Sequence, residues 1–182
     1  VSTRSRPRLS SADYARLGET NRLQELIDGE LIMSPSPSDA HQEAVPRLWL
    51  LLTELTAGAG KVKIAPMDVY LAADQVVQPD VFWGGAAGSA CQLDAAGHWQ
   101  GPPDLIVEIL SPYTEKQDRG RKYDLYERVG VREYWLVQPE VRFVEVYTLV
   151  AGRYQRQGIY GPEETFASPV LNAPAVAVSR FF

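Results

Sequence analysis

Glu108 stands where a carboxylate is costly. It interrupts Leu105-Ile106-Val107-Glu108-Ile109-Leu110, a run that otherwise reads as a strand buried on both faces. An ionised group left unpaired there costs roughly several kcal/mol, so the chain must compensate it with a metal ion, an arginine or a lysine. The segment Gln78-Pro79-Asp80-Val81-Phe82-Trp83 places a second acid in the same way, ahead of an apolar stretch. Two carboxylates on neighbouring core strands point first to a metal site.

The elements around these acids must aim them. In a strand, alternate residues share a face, so Glu108 projects with Ile106 and Leu110, opposite Leu105, Val107 and Ile109. Gln117 to Val129 reads as a helix stopped by Gly130, with Lys122, Leu125, Tyr126 and Val129 on one stripe. Only Ser111-Pro112-Tyr113 and the few residues after them connect strand to helix, so the Lys122 ammonium can reach Glu108. The alternative is a snorkelling lysine whose stem covers apolar surface; the sequence leaves both open. Glu133 to Val137 returns as a strand and completes a βαβ unit.

Hairpins flank that unit. Asp28-Gly29 between apolar flanks predicts one near the N-terminus, after a short helix opened by a Ser10 capping box. Ala40 to Ala57 reads as a helix that Pro46 kinks or delays. Lys61 to Leu71 and Val76 to Phe82 read as strands, Gly84 to Pro103 as mostly loop held by Trp99. Arg142 to Leu149 and Tyr154 to Gln157 read as antiparallel strands, and the tail from Pro162 carries little pattern. The expected fold is α/β or α+β: a mixed sheet flanked by helices, with an N-terminal β-hairpin.

Composition bounds the reading. The 182 residues suit a single domain over 1–182, with a core from about 9 to 149. No apolar run approaches the roughly 18 residues of a membrane span, and Val1 to Arg8 precede no secretory core, so no membrane partner is expected. The lone Cys91 makes an internal disulfide impossible, and a reducing cytoplasm is the default location. A net charge of -5 argues against coating nucleic acid by bulk electrostatics, though not against a local basic face. Lys116, Arg119, Arg121, Lys122, Arg128 and Arg132 gather in one stretch, but interleaved acids favour a helix laced with ion pairs.

The order Asp80, Glu108 and a following lysine resembles the PD-(D/E)XK nuclease superfamily. More closely, the chain is similar to the bacterial restriction-endonuclease-like family known as domain of unknown function 820. Three blocks carry the likeness: Glu25 to Ser36 with His41-Gln42; Val77-Gln78-Pro79-Asp80-Val81; and Pro103 to Pro112 running through Asp118-Arg119-Gly120-Arg121-Lys122 to Gly130-Val131-Arg132-Glu133-Tyr134-Trp135-Leu136-Val137. The resemblance implies a restriction-endonuclease-like core, Asp80 and Glu108 as ligands of Mg²⁺ or Mn²⁺, and DNA as substrate. It departs from the pattern at Leu110, where the superfamily usually has its lysine; Lys122 matches the position where this family carries one. Gln138 stands where the family often has an acid.

His41, at the opening of the first long helix, is a further catalytic candidate, because the wider superfamily often supplies a polar group there; Glu43 is its neighbour and alternative. The facing of Glu25 is undecided. His98, Cys91 and the tyrosines read as surface or core residues. The expected activity is metal-dependent hydrolysis of DNA phosphodiester bonds by a homodimer, one active site per strand. Two rivals remain: a decayed nuclease fold kept for DNA binding or assembly, and a sugar hydrolase using Asp80 and Glu108 as acid and base without metal.

Overall fold

Pro79 divides what periodicity reads as one strand. Proline donates no ladder hydrogen bond, so the stretch from Val76 to Phe82 ends in one sheet and resumes in another. The structure, a computed structural model, describes residues 8–18 and 22–182. The basic stretch from Val1 to Pro7 lies outside the described residues.

Helix α1 (Ser11–Ala15) opens with the expected box: Asp13 N–H donates to Ser10 Oγ at 3.1 Å and Ser10 N–H to the Asp13 carboxylate at 2.9 Å. Strands β1 (Gln24–Ile27) and β2 (Glu30–Met33) form the hairpin, with positive φ at both Asp28 (51°) and Gly29 (72°). Helix α2 (Asp39–Thr56) begins at the Ser38 cap and passes through Pro46. Its start is not delayed, because Pro46 and the Gln42 carbonyl it orphans lie on the exposed face, where water can serve. Ala44, Leu48, Leu51 and Leu52 are the buried stripe.

Next come β3 (Lys61–Ile64), β4 (Val69–Ala72), β5 (Gln75–Val77) and β6 (Val81–Gly84). The expected single strand from Lys61 to Leu71 is therefore two, interrupted at Pro66 for the same reason as at Pro79. Short strands β7 (Gln92–Leu93) and β8 (Trp99–Gln100) punctuate the loop, with Trp99 buried as expected. Central β9 (Leu105–Ile109) leads to α3 (Glu115–Gln117), a π-turn (Asp118–Lys122) and α4 (Tyr123–Val129), which run on as one helical segment. Then follow β10 (Glu133–Gln138), β11 (Phe143–Val150), β12 (Arg153–Tyr160), β13 (Thr165–Ser168) and β14 (Ala173–Ala177).

The main sheet has the order β12-β11-β10-β9-β6-β3, and only β9 and β10 pair in parallel within it. The second sheet, β2-β1-β5-β4-β8-β7, carries the hairpin. The α+β class and the mixed sheet are as expected. Leu105, Val107 and Ile109 pack with α2 and the C-terminal residues, whereas Ile106 and Leu110 pack with α4. Glu108 thus projects toward the helix that carries Lys122. Among the described residues no helix is long and apolar enough to cross a membrane.

The tail corrects its weak reading. It forms the β13-β14 hairpin and closes the core, with Phe181 stacked on Trp135 at 5.7 Å and Phe166 edge-on to it at 4.9 Å. Phe181→Ala should therefore cost about 3–5 kcal/mol in urea unfolding, the scale of a buried aromatic deletion. A loss below about 1 kcal/mol would mean the tail is not part of the core.

Candidate active site

Strand register brings the two acids together. In the antiparallel β6-β9 pair, Val81 lies opposite Val107, so Asp80, one residue before β6, lies opposite Glu108 and on the same face. The Asp80 N–H lies 3.5 Å from Glu108 Oε2, the limit of a hydrogen bond. Asp80 Oδ2 accepts the Ile109 N–H at 2.7 Å, which ties the carboxylate to β9. Both acids are buried.

Lys122 meets them from the helix. Its Nζ lies 3.1 Å from Glu108 Oε1, 3.0 Å from Glu25 Oε1 and 3.6 Å from Asp118 Oδ1. Its side chain is 7% exposed, so it does not snorkel. The Tyr126 hydroxyl, one turn on, donates to Glu108 Oε1 at 2.7 Å. The π-turn holds Asp118 and Lys122 buried together, and the Tyr134 hydroxyl donates to the Asp118 carbonyl at 3.1 Å. Glu25 arrives from the hairpin, where it also accepts the Gln78 N–H at 2.9 Å. His41, in the first turn of α2, places Nε2 3.1 Å from Asp80 Oδ2, while its buried Nδ1 has no hydrogen-bond partner among the described residues.

Negative charge exceeds positive in this cluster. Burial drives the Glu108 carboxyl well above its ordinary value; Lys122 opposes the shift, while Asp118, Asp80 and Glu25 reinforce it. Burial likewise raises Asp118, to about 6, against the pull of Lys122. Burial alone would lower Lys122, but Glu108, Glu25 and Asp118 outweigh it and keep the ammonium charged. For His41, burial works downward, and the hydrogen bond and charge of Asp80 prevail to raise it.

A divalent cation fits this chemistry. The donors are hard carboxylate oxygens, acids outnumber the lysine they surround, and among the described residues buried Asp118 Oδ1 lacks a hydrogen-bond donor. Among the described residues no three His, Cys, Asp or Glu side chains form a metal cage, so an ion here would take the Asp80 and Glu108 carboxylates and complete its shell with water. The cavity they line, with Ser34 to Pro37, Ser111 and Thr114, measures about 40 Å³: room for an ion or waters, not for an organic substrate.

The family model for Uma2, described as "Putative restriction endonuclease", matches residues 11–179. The chain belongs to the Uma2 family. The chain is also similar in fold to a crystal structure from Anabaena variabilis ATCC 29413, described as "a putative nuclease belonging to DUF820". The two share a TM-score of 0.77 and 17% identity, over 96% of this chain and 97% of that one. At that identity the likeness carries the fold. No curated protein matches the chain.

In this Uma2 chain the structure brings together Asp80, Glu108, Lys122 and His41. Glu43 is exposed, as is much of His98, which lies 3.8 Å from Asp94. Cys91 is buried, and burial pushes its thiol up to about 12, far from a nucleophile's range. The arginines of the charged stretch are held in ion pairs: Arg119 with Glu115 and Glu145, Arg121 with Glu30, Arg128 with Asp28, Arg132 with Asp104. Sequence reasoning missed Asp118 and Tyr126 as site residues. Their signal is spacing alone, four residues either side of Lys122. Glu25 stayed undecided because β1 is buried at every position, so alternation could not assign its face.

The Asp118 shift has a stability consequence. A carboxyl raised in the folded state makes folding less favourable as pH climbs from its ordinary 3.8 to about 6, and the cost is complete above that. Asp118→Asn should remove it. The variant's urea midpoint should exceed the wild type's above about pH 6, and the gain should shrink toward pH 3.8. A variant less stable than wild type above that range would show that Asp118 stabilises the cluster.

Proposed function

We propose that this chain is a metal-dependent endonuclease that hydrolyses DNA phosphodiester bonds. One observation carries the reading: Asp80 and Glu108 face each other across adjacent strands, with the charged Lys122 3.1 Å from Glu108, in a family described as "Putative restriction endonuclease". Mg²⁺ or Mn²⁺ held by Asp80 and Glu108 would polarise the scissile phosphate and supply an activated water.

The chain's own residues then have separable tasks. Lys122 offers a fixed positive charge to the phosphate oxygens as negative charge builds in the transition state. Glu25 and Asp118 hold that ammonium in place, and Tyr126 fixes the Glu108 carboxylate. His41 orients Asp80 through Nε2, so it acts as a positioning residue. With only about 40 Å³ inside, the strand must lie across the cavity mouth. Two copies, one per strand, would account for cutting a duplex, and we propose a homodimer on that ground.

The rival, a decayed fold kept for DNA binding or assembly, draws on Leu110 and Gln138 standing where acid or lysine is usual. Lys122 beside Glu108 speaks against it, because the helix restores the amine the strand lacks. A sugar hydrolase would leave the buried lysine without a task.

Purified protein should nick supercoiled plasmid in Mg²⁺ or Mn²⁺ and stop in EDTA. Lys122→Met should slow cleavage by about 10²-fold or more, the scale of a lost transition-state charge contact. Asp80→Asn and Glu108→Gln should abolish it, while the exposed Glu43→Gln cleaves like wild type. Cleavage that persists in EDTA, or in Glu108→Gln, would overturn the reading.

A further inference from the structure

A second cavity opens on the far side of His41 and Asp80. It measures about 450 Å³, against about 40 Å³ for the acid-lined one, and shares Leu23, Pro37, His41 and Asp80 with it. A ligand in the larger cavity therefore lies one side chain from the acid site. Its remaining walls are mostly apolar, with Val45 from α2 and Ile64, Ala65 and Pro66 at and just after the end of β3, and Arg22 adds one charged side chain. Gln42 adds an amide that can both donate and accept.

These properties are complementary. The acid cavity admits an ion and water; its neighbour admits a flat ring system, with apolar faces to pack it and an amide to meet its edge. In a polynucleotide, the group one sugar away from a phosphate is a base. Resting on the nuclease reading above, we propose that this second cavity receives a nucleobase of the DNA strand beside the cleaved phosphate, unstacked from its neighbours.

A base stacked and paired within a duplex cannot enter such a cavity unless it is turned out. The preferred substrate therefore carries an unpaired nucleotide at the cut: a single strand, a flap or a bulge. Uninterrupted duplex is cut more slowly, because the base must first be extruded.

The test uses end-labelled single-stranded DNA with one internal abasic nucleotide, cut in Mn²⁺ and resolved by product length. At one phosphate flanking the abasic sugar, cleavage should fall roughly tenfold relative to the intact strand, the scale of one base's stacking contact, with other positions unchanged. Ile64→Glu, at a position 39% exposed and so tolerant of change, should slow cutting of the intact strand and erase the abasic difference. Val45→Trp, which narrows the cavity, should do the same. Cleavage that ignores the missing base, or an abasic effect that survives both variants, overturns the cavity assignment and leaves the nuclease standing. No cleavage of any strand removes both.

Discussion

Four buried carboxylates gather around one buried ammonium, and the rest of the molecule is arranged to keep them there. Glu25, Asp80, Glu108 and Asp118 are each at most 7% exposed, and Lys122 is 6% exposed. Taken out of water, such charges repel one another strongly, and one lysine cannot neutralise them all. The raised Glu108 and Asp118 carboxyls express that excess. A fold selected for stability alone would fill this volume with apolar side chains, so the cluster marks where stability yields to another demand.

Three local features build the cluster. Pro79 ends one strand and lets the chain cross between sheets, which delivers Asp80 opposite Glu108. The π-turn keeps Asp118 and Lys122 buried on the same helical segment, with Tyr126 one turn later. The N-terminal hairpin brings Glu25 in from the second sheet and anchors it on the Gln78 backbone. Each device is local, yet the acids come from three separated parts of the chain, so the site exists only once both sheets have docked.

Much of this was legible in the chain. Glu108 was identified from its interruption of an apolar run, and strand parity gave the face it takes. The helical stripe through Lys122, Leu125, Tyr126 and Val129 offered Lys122 as a partner, but it left a snorkelling lysine equally open until the structure paired its ammonium with Glu108. What stayed hidden was non-local. Nothing in Val76 to Phe82 says that its two halves join different sheets, although Pro79 says that one ladder cannot hold them both. Glu25 lies in a strand covered on both sides, where alternation carries no information. The π-turn has no periodic signature, and the tail's aromatics are spaced too irregularly to show that Phe166 and Phe181 would close over Trp135.

On the proposed function, this surplus of buried acid grips a divalent ion between Asp80 and Glu108. Titration calorimetry with Mn²⁺ tests it without reference to any substrate. Binding should be saturable in the wild-type chain and disappear in Asp80→Asn and in Glu108→Gln, with both variants folded by circular dichroism. Absence of binding in the wild type, or binding that survives both substitutions, would contradict it.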